Sequence, residues 1–196
     1  MDDVPAINPK QAVLLVMDYQ PGIVDSLPNI QELLNSLEKV IALARENGMK
    51  VGYVRVAFDE EDCKNVPETN KMFKSLLAGK NMDADAAHTQ VHGRIGPQPG
   101  DIEVRKVRVG AFSTTDLDKE LKDNDIETLI MAGVSTSGVV LSTVCDAADR
   151  DYRMYVLKDL CADPDPEVHK ILTEKVFLRR AYVITSANLS DLLEKV

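Results

Sequence analysis

The sequence predicts an α/β protein built on a parallel sheet with helices on both faces. Two observations carry that prediction. Short apolar runs rich in Val, Leu and Ile recur along the 196 residues without the alternation of a half-exposed strand, which is how strands buried on both faces read. Between them lie segments with apolar residues at helical spacing. Strand and helix thus alternate about six times, the βα order that builds a parallel sheet.

Ala12–Asp18 (AVLLVMD) is the first strand. From Ile30 to Asn47 the residues Ile30, Leu33, Leu34, Leu37, Val40, Ile41 and Ala44 share a helical face, and Gly48 ends the helix. Val51–Val56 is the second strand. From Asp59 to Gly100 the pattern breaks, with Pro67, Pro97, Pro99 and several glycines. Short helices are expected around Asn70–Ala78 and Asp83–Ala87, and an irregular stretch this long often builds the rim of a site. Alternation resumes with a strand at Glu103–Val107 and a helix through Lys122 that Thr114 or Thr115 can cap. Thr128–Gly133 and Ser137–Arg150 are the next strand and helix. Arg153–Leu157 is a strand, and Asp165-Pro166-Glu167 opens a helix to about Leu178, because proline suits a first turn. Ala181–Thr185 and Leu189–Lys195 follow as strand and short helix. No repeat or low-complexity stretch interrupts this order, so residues 1–196 read as one domain.

Composition narrows the function classes. With 44% hydrophobic residues the chain can fill a core of this size. A net charge of −9 argues against nucleic acid or an anionic membrane as partner. Three cysteines give no disulfide framework and suggest a reducing compartment. The opening MDDVPAINPKQ has neither a basic nor an apolar signal region, which predicts a cytoplasmic location and leaves unconventional secretion open. No apolar run approaches the ~18 residues of a membrane span.

The stretch GVSTSGVV (Gly133 to Val140) is where chemistry is expected. An apolar strand stops there at small residues and turns into a helix, which aims backbone N–H groups and a positive helix end at a substrate. The run GVSTSGVVLSTVCDAADRDY resembles the active-site segment of the isochorismatase-like cysteine hydrolases, written G-V-x-T-x-x-C-V-x-x-T-x-x-D-A. AVLLVMDYQ (Ala12 to Gln20) resembles that family's first strand, and EVRKVRVGAFSTTDL (Glu103 to Leu117) its lysine segment with A-F-x-x-T. Three such segments in the right order are specific for the superfamily, though not for a substrate.

The resemblance implies a three-layer α/β/α fold with a six-stranded parallel sheet in order 3-2-1-4-5-6. That order sets the first and fourth strands side by side, so Asp18 and Ser135-Thr136 meet at the switch point where such sheets bind ligands. It implies Asp18 and Lys106 as catalytic residues, and a nucleophilic cysteine at the position that Val139 holds here. It also implies a cis peptide at Val134–Ser135, backbone N–H groups near Gly138 and Val139 turned to a substrate oxygen, and a homo-oligomer. Ser135, Thr136, Gly138, Gln20 and Phe112 are expected at the substrate.

The residues themselves leave alternatives open. Asp18 can be a turn or cap carboxylate, or an acid/base group whose pKa burial raises and a lysine lowers. Lys106 can belong to a solvated edge strand, or pair Asp18 and stabilise negative charge. Arg108, on the face of Lys106 by the period of two, can hold a substrate carboxylate or form a surface ion pair. Cys145 lies roughly 9 Å along the helix from Val139 and about 120° round, Cys161 is expected in a loop after its strand, and Cys63 has no evident partner. His88 and His92 lie in an expected loop and His169 on a helix. Neither a zinc-ligand pattern nor a phosphate loop is present, so no metal and no cofactor are expected.

Two functions therefore compete. One is hydrolysis of a small molecule without a cysteine. True isochorismatases in the resembled family have glycine at the cysteine position and cleave a vinyl ether to release pyruvate; there Asp18 would be the general acid. Val139 is larger than glycine and departs from that pattern. The other is an impaired family member that serves as a ligand-binding or interaction protein. Amidase or nicotinamidase activity is disfavoured by Val139 and by the missing metal pattern.

Overall fold

The computed structural model describes residues 4–79 and 81–193. Along the chain, β1 (Ala12–Met17) leads through α1 (Pro21–Val24) to α2 (Ile30–Glu46) and β2 (Lys50–Val56). An irregular segment then carries α3 (Glu60–Lys64) and α4 (Lys71–Gly79) before β3 (Ile102–Lys106). α5 (Leu117–Asp123), β4 (Thr128–Val134), α6 (Leu141–Ala148), β5 (Arg153–Ala162), α7 (Pro166–Ile171), β6 (Tyr182–Ile184) and α8 (Ser186–Leu192) complete it. The last helix starts at Ser186 rather than Leu189 and ends at Leu192, where Leu193 turns extended and bridges to Ile7. The rest of its expected extension, residues 194–195, lies outside the described residues, as do residues 1–3 of the N-terminal signal reading.

The six strands form one all-parallel sheet in the order β3-β2-β1-β4-β5-β6. Every residue of β1 and β4 is buried, so these central strands read as continuous apolar runs. Alternate residues serve opposite faces. Leu14 and Val16 pack with Leu34, Leu37 and Leu189 of α2 and α8. Val13, Leu15 and Met17 pack with Leu121, Val144 and Phe177 on the other side.

Several expectations are corrected. β5 does not stop at Leu157 but runs to Ala162, and Cys161 is a strand residue rather than a loop residue. The exposed pair Lys158-Asp159 interrupts the apolar run, and a register shift opposite Met131–Gly133 lets the strand resume with Cys161 beside Gly133. Asp83–Ala87 is no helix: Asp83 bridges to Phe58, and a single tight turn follows at Ala87–Thr89. The helix before Lys122 starts later than predicted, with Asp116 at its cap. The Thr115 hydroxyl instead donates to Ala111 O and accepts from Leu117 N. The stretch to Leu178 is α7, a π-helical turn (Leu172–Val176) and a 3-10 turn (Phe177–Arg179).

The irregular segment has a small core of its own, where Phe58, Val66, Phe73 and Met82 meet Val56 at the end of β2. It is fastened to the sheet by His92 N donating to Tyr19 O (2.8 Å), and to α2 by Arg94 on Glu38 (2.6 Å). These ties hold α4 above the carboxyl ends of the strands. No helix among the described residues is long and apolar enough to cross a membrane.

Candidate active site

A cavity of about 1190 Å³ opens at the carboxyl ends of β1, β4 and β5. It lies at the point where strand order reverses, the place ligands take in such sheets. The strand ends form its floor, and α4 with the α1–α2 loop forms its rim.

Asp18 follows the last residue of β1 in a left-handed conformation (φ +57°). Its amide donates to Val54 O at 2.8 Å, which pins this bend to β2. Lys106 ends β3, two strands away, and its stem spans the carboxyl end of β2 to bring Nζ within 2.8 Å of Asp18 Oδ2. Lys106 is 1% and Asp18 6% exposed, so this is a buried pair and not a solvated edge charge. Nζ also donates to Arg108 O at 3.3 Å. Asp18 Oδ1 is buried with no hydrogen-bond partner among the described residues. Burial pushes the Asp18 carboxyl above its ordinary range, and the nearby ammonium pulls it back only in part.

Gln20 lies in the same wall, but its amide is committed to the main chain. Nε2 donates to Val56 O (2.9 Å) and Thr89 O (2.7 Å), and Oε1 accepts from Val56 N (2.8 Å). Both amide protons are used, so Gln20 joins β1, β2 and the irregular segment rather than reaching for a ligand.

The β4–α6 turn supplies the opposite wall. The Val134–Ser135 peptide is cis. A π-helical turn at Thr136–Val140 then leads into α6. Gly138 N–H is taken by Ser135, whose Oγ accepts it at 3.1 Å and whose carbonyl stands at 3.2 Å. Ser137 N–H is taken by Asp163 Oδ2 at 2.7 Å. The expectation that the Gly138 N–H points to a substrate oxygen is therefore corrected: serine caps its own turn. Val139 is buried at 1% exposure and presents an apolar side chain to the cavity.

Arg108 reaches the cavity from the loop beyond β3, not from the strand face shared with Lys106. Its guanidinium donates to Val107 O at 2.6 Å and lies 5.5 Å from the Phe73 ring centroid of α4, with no carboxylate partner among the described residues. The structure does not bring Phe112 to this place. Phe112 is buried in the core beneath, stacked on Tyr152 at 5.9 Å with Arg150 over its ring. Thr136 is fully buried behind the wall.

Sequence reasoning missed His169, Asp163 and the α4 residues Met72 and Phe73, all of which line the cavity. His169 Nδ1 is 2.8 Å from Thr136 Oγ1, and burial holds its imidazole below its ordinary pKa. One signal could have found it: in βα topology a helix that follows a strand begins at the carboxyl end of the sheet, so the first turn of α7 had to face the site. Cys161 also lines the cavity, but burial pushes its thiol up to about 12, so it is no thiolate. Cys145 is half-buried on α6 and Cys63 is exposed. No group of three or more His, Cys, Asp or Glu among the described residues is arranged to hold a metal ion.

Comparison with known proteins shows the family and the fold. The isochorismatase domain family matches residues 12–188. The chain is 33% identical over 184 residues to the probable isochorismatase of Pseudomonas chlororaphis, covering 92% of this chain and 86% of that protein. It is 28% identical over 149 residues to N-carbamoylsarcosine amidase of Arthrobacter sp, covering 76% of this chain and 56% of that longer protein. Among solved structures, an isochorismatase family protein from Burkholderia thailandensis superimposes with a TM-score of 0.85 at 23% identity, covering 98% of this chain and all of that one.

Proposed function

Because the chain belongs to the isochorismatase family, we propose that it is a hydrolase of a small enol-ether metabolite, with Asp18 as general acid and no covalent nucleophile. Isochorismate is the first substrate to try, given the similarity to the probable isochorismatase of Pseudomonas chlororaphis. The observation that carries the reading is Asp18 Oδ1, buried and unpartnered in the cavity wall while Oδ2 is held by Lys106. An enol ether needs a proton on carbon and then water, and a buried carboxylic acid supplies the proton. Acyl transfer needs a thiol and an oxyanion site. Val139 removes the first, and Ser135 occupies the Gly138 N–H that would serve the second.

In this scheme Arg108 holds a substrate carboxylate, a role favoured by its having no carboxylate partner among the described residues, and the Phe73 ring orients it. Ser135, Gly138 and Val139 shape the opposite wall; Gln20 and Thr136 position their neighbours. The protein acts on a small molecule as a cytoplasmic homo-oligomer, with neither nucleic acid nor membrane as partner.

The test is pyruvate release from isochorismate, read by a coupled lactate dehydrogenase assay, with Asp18→Asn as control. Turnover lost in the control supports the reading. Equal turnover in the two proteins rejects it. A second reading, a ligand-binding protein without turnover, is favoured by the bulk of Val139 beside the acid. It predicts saturable binding of isochorismate with no pyruvate formed.

A further inference from the structure

Hydrolysis of an enol ether also needs a group that takes a proton from the attacking water, and a base placed elsewhere in the cavity wall can take it without drawing on the buried Asp18 carboxylate. We infer that His169 is that base: a further catalytic residue whose imidazole receives the proton of the attacking water across the cavity from Asp18. This inference rests on the enol-ether reading of the site.

Placement comes first. α7 begins at the carboxyl end of β5 and sets His169 in the cavity wall. The register pairs Met17 with Gly133, so Asp18 follows β1 at the same end of the sheet where β4 runs into the turn bearing Thr136, the threonine that holds His169. Both side chains line one cavity, and the turn that follows β4 joins them.

The ring is oriented and has one open nitrogen. Nδ1 is fixed at 2.8 Å by Thr136 Oγ1, which is itself fully buried. No group among the described residues hydrogen-bonds Nε2. When Nδ1–H donates to the threonine hydroxyl, Nε2 keeps its lone pair for a water proton. The charged groups facing the ring are Asp163 and Lys158, opposite in sign, so burial decides its state and keeps it neutral near pH 7. Asp163 is already engaged by the amides of Ser137 (2.7 Å) and Asp165 (3.2 Å).

The step balances. Asp18 gives its proton to the terminal carbon of the enol ether, leaving an oxocarbenium ion. The oxygen of water bonds to the cationic carbon while His169 takes one of its protons. As the hemiketal collapses, the ether C–O bond breaks and the departing oxygen takes the proton from His169. The hemiketal hydroxyl proton returns to Asp18. Ketone and alcohol leave, and both side chains regain their starting states.

The test uses His169→Asn, which keeps a donor near the position of Nδ1 but no base, and His169→Ala with added imidazoles of graded basicity. Expected are a loss of about 10²-fold or more in kcat for His169→Asn, disappearance of the acid-side limb of its pH profile, and rescue of His169→Ala that rises with the basicity of the added imidazole. A clamp that acts only on folding would give neither the lost limb nor the graded rescue. In the native protein, diethyl pyrocarbonate should acylate His169, with rates that follow its neutral form. Unchanged kcat and pH profile in His169→Asn, with Asp18→Asn inactive, would overturn the inference and leave the enol-ether reading standing. An unreactive His169 would overturn it as well, since Nε2 would then not be open. A wild-type protein inert towards every enol ether tried, yet acylated at His169, would retire the enol-ether reading itself and the base role with it.

Discussion

Lys106 Nζ meets Asp18 at Oδ2 alone, 2.8 Å away, and leaves Oδ1 buried in the cavity wall with no partner among the described residues. One carboxyl group thus has a held oxygen and an open one. The held oxygen fixes the rotamer, and the unpartnered one is the oxygen to which the proposed general acid would assign its proton.

Asp18→Asn should lower turnover by about 10²–10⁴-fold, the usual worth of a positioned acid. Above the Asp18 pKa it also leaves the Lys106 ammonium without its carboxylate, and Lys106→Met leaves the carboxylate without its ammonium. A stability loss of up to about 3–5 kcal/mol is therefore expected there for either single substitution, and a smaller one below that pKa, where the carboxyl is neutral. Asp18→Asn combined with Lys106→Met should recover much of that loss without recovering activity. Denaturant midpoints and initial rates for the three variants check both claims. Additive stability losses would show that the pair is not coupled.

The pH dependence follows from burial. Asp18 is raised above 3.8 with Lys106 opposing, and a general acid works only when protonated. The alkaline limb of activity should fall as pH rises through the folded-state pKa of Asp18, while the acid limb belongs to His169. Lys106→Met removes the opposing charge, so any residual activity should persist to higher pH. The linked stability has the same sign. The Asp18 contribution is complete below 3.8 and is lost as pH climbs through the raised value. A falling limb that moves to lower pH in Lys106→Met contradicts this assignment.

Val139→Cys places a thiol in the cavity at a cost below about 1.5 kcal/mol, since the swap nearly conserves volume. The new thiol should be alkylated by iodoacetamide faster than Cys161, whose own thiol lies at about 12. Steady amide turnover is not expected, because Ser135 still holds the Gly138 N–H. Peptide mapping of alkylation sites, with an amide hydrolysis assay, checks both parts. Full amidase activity would show that the Gly138 N–H is available after all.

Gly133→Ala tests the packing beneath the site. A Cβ there would stand 2.9 Å from Val140 Cγ2 and 3.2 Å from Met17 Cβ, so the strand and the turn must part. A loss of about 1–3 kcal/mol is expected. Val140→Ala in the same chain should return part of it, because the nearest clash is with that side chain. Thermal melts of the single and double variants decide. A Gly133→Ala protein as stable as wild type would mean that the turn yields freely.

Much of the fold was legible in the residues because burial writes itself into composition. β1 and β4 are covered on both faces, so AVLLVM and TLIMAGV read as strands without any partner in view. α2 showed its buried face through spacing alone. β5 read short because Lys158 and Asp159 break its apolar run, and only pairing with Gly133 and Val134 reveals that the strand resumes. The segment from Asp59 to Gly100 carries little periodicity, because its order comes from a capping box, the packing of Val66, Phe73 and Met82 on Val56 and Phe58, and single side-chain ties.

The candidate site divides along the same line. Asp18, Lys106 and Val139 were named through the resemblance of three segments to a known family, and the strand ends and the turn that carry them were legible from local pattern. What each side chain does there was decided by tertiary contacts. Gln20 spends its amide on Val56 and Thr89, Phe112 turns into the core against Tyr152, and Ser135 takes the amide that a substrate was expected to use. His169 comes to the wall from a helix 33 residues beyond Thr136 in the chain. Residue type and local spacing determine which element forms and what chemistry it can carry. Hydrogen-bond partners distant in sequence determine which of those groups stay open, because a buried polar atom takes the nearest partner that the packing offers.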